Sequence, residues 1–161
     1  MPPPLLIDLD QINTDEVQYD HEFIYSRLPH RFEFELLDGV CRFDREAGLS
    51  VAFCECRADA WWARGHVPGR PIMPGVLQLE AGAQLVAFSS RYVNELDVFV
   101  GFGGVENCRF REAVIPPCRL ILISKITENR SRRVVGDVQG VVDGRLVFHA
   151  TIAGLAMPDA K

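Results

Sequence analysis

Two residue types in one stretch of this chain can do acid/base chemistry. Glu80 and Gln84 stand one helical turn apart inside an otherwise apolar run that reaches from Val76 to Val93. A carboxyl in such surroundings holds its proton above the usual carboxylate range unless a cation pairs with it. Upstream, His66 lies in Gly65-His66-Val67-Pro68-Gly69-Arg70-Pro71-Ile72-Met73-Pro74-Gly75, whose density of turn formers can fix an imidazole against the start of that run. A His and a Glu in different environments can respectively accept and donate a proton at neutral pH. Each also has a plainer reading, Glu80 as a rim residue or an arginine's partner and His66 as a structural imidazole.

The start of the apolar run adds a third element. Pro74 suits the first position of a helix, which puts the cap on Met73. Methionine has no side-chain acceptor, so the first backbone N–H groups, that of Gly75 among them, are left to bind a ligand oxygen at the positive helix end. Gly75 then either admits that ligand or serves only a turn or a tight packing contact. From Val76 to Val93 the only breaker is Gly82, and the apolar residues fall on nearly every face, which predicts a helix buried all round.

The elements that must position these groups follow from the flanking patterns. Asp20 is a candidate N-cap for a short helix carrying Phe23, Ile24 and Leu28, stopped by Pro29. Strands are expected over Glu33–Arg45, Gly48–Arg57, Val98–Arg111, Arg119–Thr127, Arg132–Val142 and Arg145–Met157, with Asp143-Gly144 as a two-residue hairpin turn between the last two. The architecture implied is α+β, a hotdog fold in which a six-stranded antiparallel sheet wraps one long central helix. Residues 1–19, with three prolines at the start and an acidic stretch from Asp8 to Glu16, form an N-terminal extension that packs or frays, and 20–161 form the single domain.

Composition narrows the function classes. The 161 residues, 48% apolar and 24% charged, are enough for one core and exclude disorder as the main state. A net charge of −5 excludes a protein that binds nucleic acid or anionic membrane with its whole surface. No apolar run approaches a membrane span, and MPPPLLIDLDQ lacks a basic, apolar leader, which predicts a cytoplasmic protein. The five cysteines are odd in number and scattered, as for reduced thiols, and Cys54-x-Cys56 is read as buried small side chains with no metal.

The block GHVPGRPIMPGVLQLEAGAQ, Gly65 to Gln84, resembles the signature of the 3-hydroxyacyl-[acyl-carrier-protein] dehydratases of fatty-acid synthesis, the FabZ type. LPHRFEFELLDGV, Leu28 to Val40, resembles that family's L-P-H-R segment, and Phe110 to Pro116 resembles its turn into the following strand. The resemblance implies a hotdog homodimer, often a trimer of dimers, with the active site at the dimer interface. It makes His66 and Glu80 the catalytic pair, His66 removing a C2 proton and Glu80 of the other subunit protonating the departing C3 hydroxyl. The Gly75 amide would hold the thioester carbonyl, with Pro74, Val67 and Gln84 as substrate-binding neighbours.

By the same resemblance the lyase needs no metal or redox cofactor. Its substrate arrives on the phosphopantetheine arm of acyl carrier protein, which would dock on a local arginine patch drawn from Arg64, Arg70, Arg109, Arg111 and the turn Arg130, Arg132, Arg133. Glu at position 80 favours the plain dehydratase over the isomerising FabA type, which typically has Asp. Val67 for Phe, Glu33 for Pro, and Pro117-Cys118 for Gly-Asp are this chain's departures. His30 is expected to make structural hydrogen bonds at the helix exit, and His149 to sit in core or interface. Two other readings compete: a hotdog thioesterase, which would not need the His66 loop, and a non-catalytic acyl-thioester-binding domain.

Overall fold

The computed structural model describes residues 1–90 and 98–157. Asp20 caps α1 (His21–Arg27) by accepting the Phe23 N–H at 2.8 Å, and the helix ends at Leu28, extended because Pro29 follows. Ile24, Tyr25 and Leu28 face the core, and Phe23 stacks on Tyr19 with ring centroids 4.7 Å apart. A seven-stranded, fully antiparallel sheet follows. Its strands are β1 (Tyr19–Asp20), β2 (Gly39–Asp44), β3 (Leu49–Cys56), β4 (Phe99–Phe110), β5 (Cys118–Asn129), β6 (Arg133–Val142) and β7 (Arg145–Met157). Their order across the sheet is β1-β2-β3-β5-β6-β7-β4, so β4 forms an edge beside β7. Asp143 and Gly144, both at positive φ, make the β6–β7 turn as their pairing predicts.

Two expectations about strands need correction. The sheet has a seventh strand, β1, whose two residues pair with Val40 and Gly39 and are too short to show periodicity. The strand expected from Glu33 begins only at Gly39. Phe32–Phe34 form a 3₁₀ turn instead, entered through Phe32 at φ 58°, and the Leu37 N–H is taken by the Tyr25 hydroxyl at 2.8 Å, not by a neighbouring strand.

The central helix, α3 (Gly75–Ser89), lies against β3, β5, β6 and β7. Ala81, Leu85, Val86 and Phe88 are buried against them. A Cβ at Gly82 would come within 2.8 Å of Val138 Cγ1, so the missing side chain lets the helix lie close on the sheet. The expected end at Val93 is too late. Ser89 Oγ bonds the Leu85 carbonyl and Ser90 Oγ the Ala87 carbonyl, each at 2.7 Å, and Ser90 turns extended; positions 91–93 lie outside the described residues.

Strand β3 alternates as a two-sided strand should. Ala52, Cys54 and Cys56 face the helix, while Leu49 and Val51 join Ile123 and Val141 on the other face. That outer cluster is covered by Leu5, Leu6, Ile7, Leu9 and Ile12 of the N-terminal segment. Gln139 pins the segment from both ends of its amide: Oε1 accepts the Leu6 N–H at 2.8 Å and Nε2 donates to the Pro4 carbonyl at 2.9 Å. The five cysteines are free thiols; burial pushes that of Cys54 up and that of Cys56 up to about 12.

Candidate active site

One short helix, α2 (Ala63–His66), leads into the Pro/Gly loop before α3, where the turn formers alone predict no helix. His66 ends it, exposed, with Nδ1 2.9 Å from the Ile72 carbonyl. A carbonyl only accepts, so Nδ1 carries the hydrogen and Nε2 keeps a free lone pair. The Pro/Gly loop therefore fixes the tautomer a base requires. Val67, at the end of the same turn, is 36% exposed.

Helix α3 starts one residue later than expected. Pro74, buried and extended at ψ 133°, is the N-cap, and Gly75 is the first helical residue. The consequence for the amides is unchanged, because proline also lacks a side-chain acceptor. The first bonds back to the cap are donated by Leu77 and Gln78 to the Pro74 carbonyl, at 3.0 and 3.2 Å. The Phe110 ring of β4 packs on Gly75 so closely that a Cβ would lie 2.9 Å from two ring atoms.

One turn further on, Glu80 is about a quarter exposed and lines a cleft between α3, β4 and β7 with His30, Ala83, Ala87, Phe99 and Gly101. His30 Nε2 lies 3.2 Å from Glu80 Oε1, and Gln84 Nε2 donates to the same oxygen at 3.0 Å. His30 is thus the partner of the helix carboxylate, a role beyond the structural one expected of it. Arg31 holds the loop in place by donating from Nη1 to the carbonyls of Tyr25, Leu28 and His30, at 3.1, 2.9 and 2.6 Å.

The expected upward shift of the Glu80 carboxyl is reversed. The His30 hydrogen bond, aided by Gln84, outweighs the opposing effect of burial and holds the carboxyl below its ordinary value. Burial in an apolar run was legible; a donor arriving from a loop fifty residues upstream was not.

Glu80 and Gln84 are brought together, but His66 and Glu80 make no hydrogen bond or ion pair with each other in the protomer. Tyr25 was missed altogether. It reads as one more apolar position of α1, yet its hydroxyl donates to Gln84 Oε1 at 2.8 Å. Of the arginines, Arg64 and Arg70 are exposed on the His66 loop, Arg111 donates to His149 Nδ1 at 3.3 Å, and Arg130 and Arg133 pair with Glu128.

The FabA-like domain family matches residues 28–151, which take in the His30 loop, the His66 loop, α3 and every strand from β2 to β6. The chain belongs to the FabA-like family. It is 36% identical over 147 residues to a protein named 3-hydroxyacyl-[acyl-carrier-protein] dehydratase FabZ from Erythrobacter litoralis, covering 87% of this chain and 97% of that one. A Salmonella arizonae protein of the same name is 37% identical over 145 residues, covering 87% and 93%.

Among solved structures, the dehydratase heterocomplex ApeI:P of Xenorhabdus doucetiae superposes with a TM-score of 0.72 at 14% identity, covering 85% of this chain and 91% of that one. A hypothetical thioesterase with coenzyme A from Streptococcus pneumoniae does so with a TM-score of 0.59 at 11% identity, covering 88% and 97%. At these identities the structural likeness establishes the α+β hotdog fold.

Proposed function

We propose that this protein is a hydro-lyase of fatty-acid biosynthesis that removes water from (R)-3-hydroxyacyl thioesters of acyl carrier protein, giving trans-2-enoyl thioesters. The observation that carries the reading is the His66 tautomer: Nδ1–H is held by the Ile72 carbonyl and the free Nε2 is presented at an exposed edge. His66 Nε2 takes a proton from C2, and the electron pair of the broken C–H bond forms the C2–C3 double bond. Glu80 gives its proton to the C3 hydroxyl, which leaves as water. His66 then returns its proton to solvent and Glu80 regains one, so the cycle consumes nothing else. The Gly75 amide binds the thioester carbonyl oxygen as it takes on enolate character, while Val67 and Pro74 flank the acyl chain.

The acid step asks for a protonated Glu80, whereas the His30 hydrogen bond holds the carboxyl below its ordinary value. An acyl chain filling the cleft strips water from that carboxyl and pushes in the opposite direction, so the proposal includes proton uptake on substrate binding. We assign the completion of the site to a second copy, whose Glu80 would face His66 as the family resemblance implies. The exposed Phe102, Val105 and Phe110 of edge strand β4 support that assembly, since an apolar unpaired edge is otherwise a liability. Arg64 and Arg70 are the arginines nearest His66 in the chain, and we assign them to the acidic carrier protein. Among the described residues no helix is long and apolar enough to cross a membrane, and we place the reaction in the cytoplasm. Both proton transfers are assigned to side chains of this chain; the phosphopantetheine belongs to the carrier.

Product analysis tests the reading. A carrier-borne (R)-3-hydroxyacyl thioester is expected to yield enoyl thioester. Free thiol without enoyl product would make the protein a thioesterase, and neither product a binding domain.

A further inference from the structure

Around Gln84, one turn along the helix from Glu80, the hydrogen bonds have only one consistent direction. The Tyr25 side chain is buried, and its oxygen accepts the Leu37 N–H at 2.8 Å. Its own hydrogen therefore goes to Gln84 Oε1, also at 2.8 Å. With Oε1 of Gln84 so engaged, Nε2 faces two acceptors, the Phe34 carbonyl at 2.9 Å and Glu80 Oε1 at 3.0 Å. A flipped amide would set its oxygen against both of those acceptors and its nitrogen against the tyrosine hydroxyl. Gln84 is fully buried, so no water relieves such a flip.

We infer that Tyr25, acting through Gln84, is a positioning residue that keeps Glu80 Oε1 a permanent acceptor and makes Oε2 the oxygen that exchanges the proton with the substrate hydroxyl. The inference rests on the dehydratase reading for its substrate, though the relay itself stands on geometry. Oε1 already receives the His30 and Gln84 hydrogens, from the α1 exit loop and from α3 itself. A third hydrogen there would face two donors, so the acid proton resides on Oε2. Burial pushes the Tyr25 hydroxyl far above its ordinary value, so it remains a neutral donor at every working pH.

Tyr25→Phe removes the hydroxyl and leaves the ring, so Gln84 is free to turn and its hold on Oε1 loosens. One buried neutral hydrogen bond is worth about 1 kcal/mol, which converts to roughly fivefold in rate. The variant is expected to lose about fivefold in kcat with KM within about twofold, and the Glu80 carboxyl, followed by carbon NMR, is expected to titrate higher than in the parent. In a Glu80→Gln background the same change is expected to leave kcat as it is, because Tyr25 acts through Glu80. A kcat loss of equal size in both backgrounds would overturn the relay and leave Tyr25 a core residue. An unmoved Glu80 titration would overturn it too. If Tyr25→Phe does not fold, Gln84→Met severs the relay one link nearer Glu80, with the same coupling expected. A parent with no dehydratase activity but a shifted Glu80 titration in the variant would overturn the dehydratase reading and uphold the relay.

Discussion

Glu80 Oε1 takes the Nε2 hydrogen of His30 at 3.2 Å, so the acidic residue of the central helix is tied to the loop that leaves the first helix. The tie sets the direction of the carboxyl's shift: the His30 hydrogen bond lowers its pKa where burial acts to raise it. Replacing His30 with Ala is expected to raise the Glu80 titration midpoint in carbon NMR. A midpoint that stays put would mean that Gln84 alone carries the effect.

The same tie has a sign in stability. Glu80's folded-state pKa lies below its ordinary value of 4.5, so its contribution is present above that pH and is lost as pH falls through the folded-state value. The stability gap between the parent and His30→Ala, from denaturant unfolding, is expected to close as the solution is taken below about pH 4.5. A gap that widens on acidification would contradict the pairing.

His66 and Glu80 announced themselves because each breaks a local pattern, one an imidazole amid turn formers, the other a carboxylate amid Leu, Ala and Val. Their supports did not. Tyr25 and Gln84 meet across 59 residues of sequence, and Tyr25 sits at an α1 position where any large apolar residue would satisfy the periodicity. The start of β2 was misplaced for a related reason: Leu37 and its neighbours look like strand, but the Leu37 amide is spent on Tyr25. The apolar residues of the N-terminal segment were visible; the face they cover exists only after β3, β5 and β6 assemble, and the pin is Gln139.

That segment gives a prediction independent of catalysis. Gln139→Ala removes both bonds that hold Pro4 and Leu6, each of them partly buried. A loss of about 1–3 kcal/mol in unfolding free energy is expected, with kcat unchanged. Equal stability would show that the apolar contacts alone retain the segment.

Subunit mixing tests the shared site. In an isologous dimer, combining His66→Ala with Glu80→Gln chains gives a mixed species with one site intact and one doubly altered, so it is expected to recover about half the parent's turnover. No recovery would place both groups in one subunit.

Proton uptake is the thermodynamic counterpart. Binding of a non-reactive 3-hydroxyacyl analogue near neutral pH, followed by calorimetry in buffers of different ionisation enthalpy, is expected to take up close to one proton in the parent and none in Glu80→Gln. The same uptake in both proteins would assign the acid to another group.

The central claim is that His66 Nε2 starts the elimination of water from a carrier-borne 3-hydroxyacyl thioester. Its most direct test is the initial rate of enoyl thioester absorbance with parent and His66→Ala proteins at matched dimer concentration. The account predicts turnover by the parent and a loss of at least about 10²-fold in the variant. Equal rates in the two proteins would contradict it.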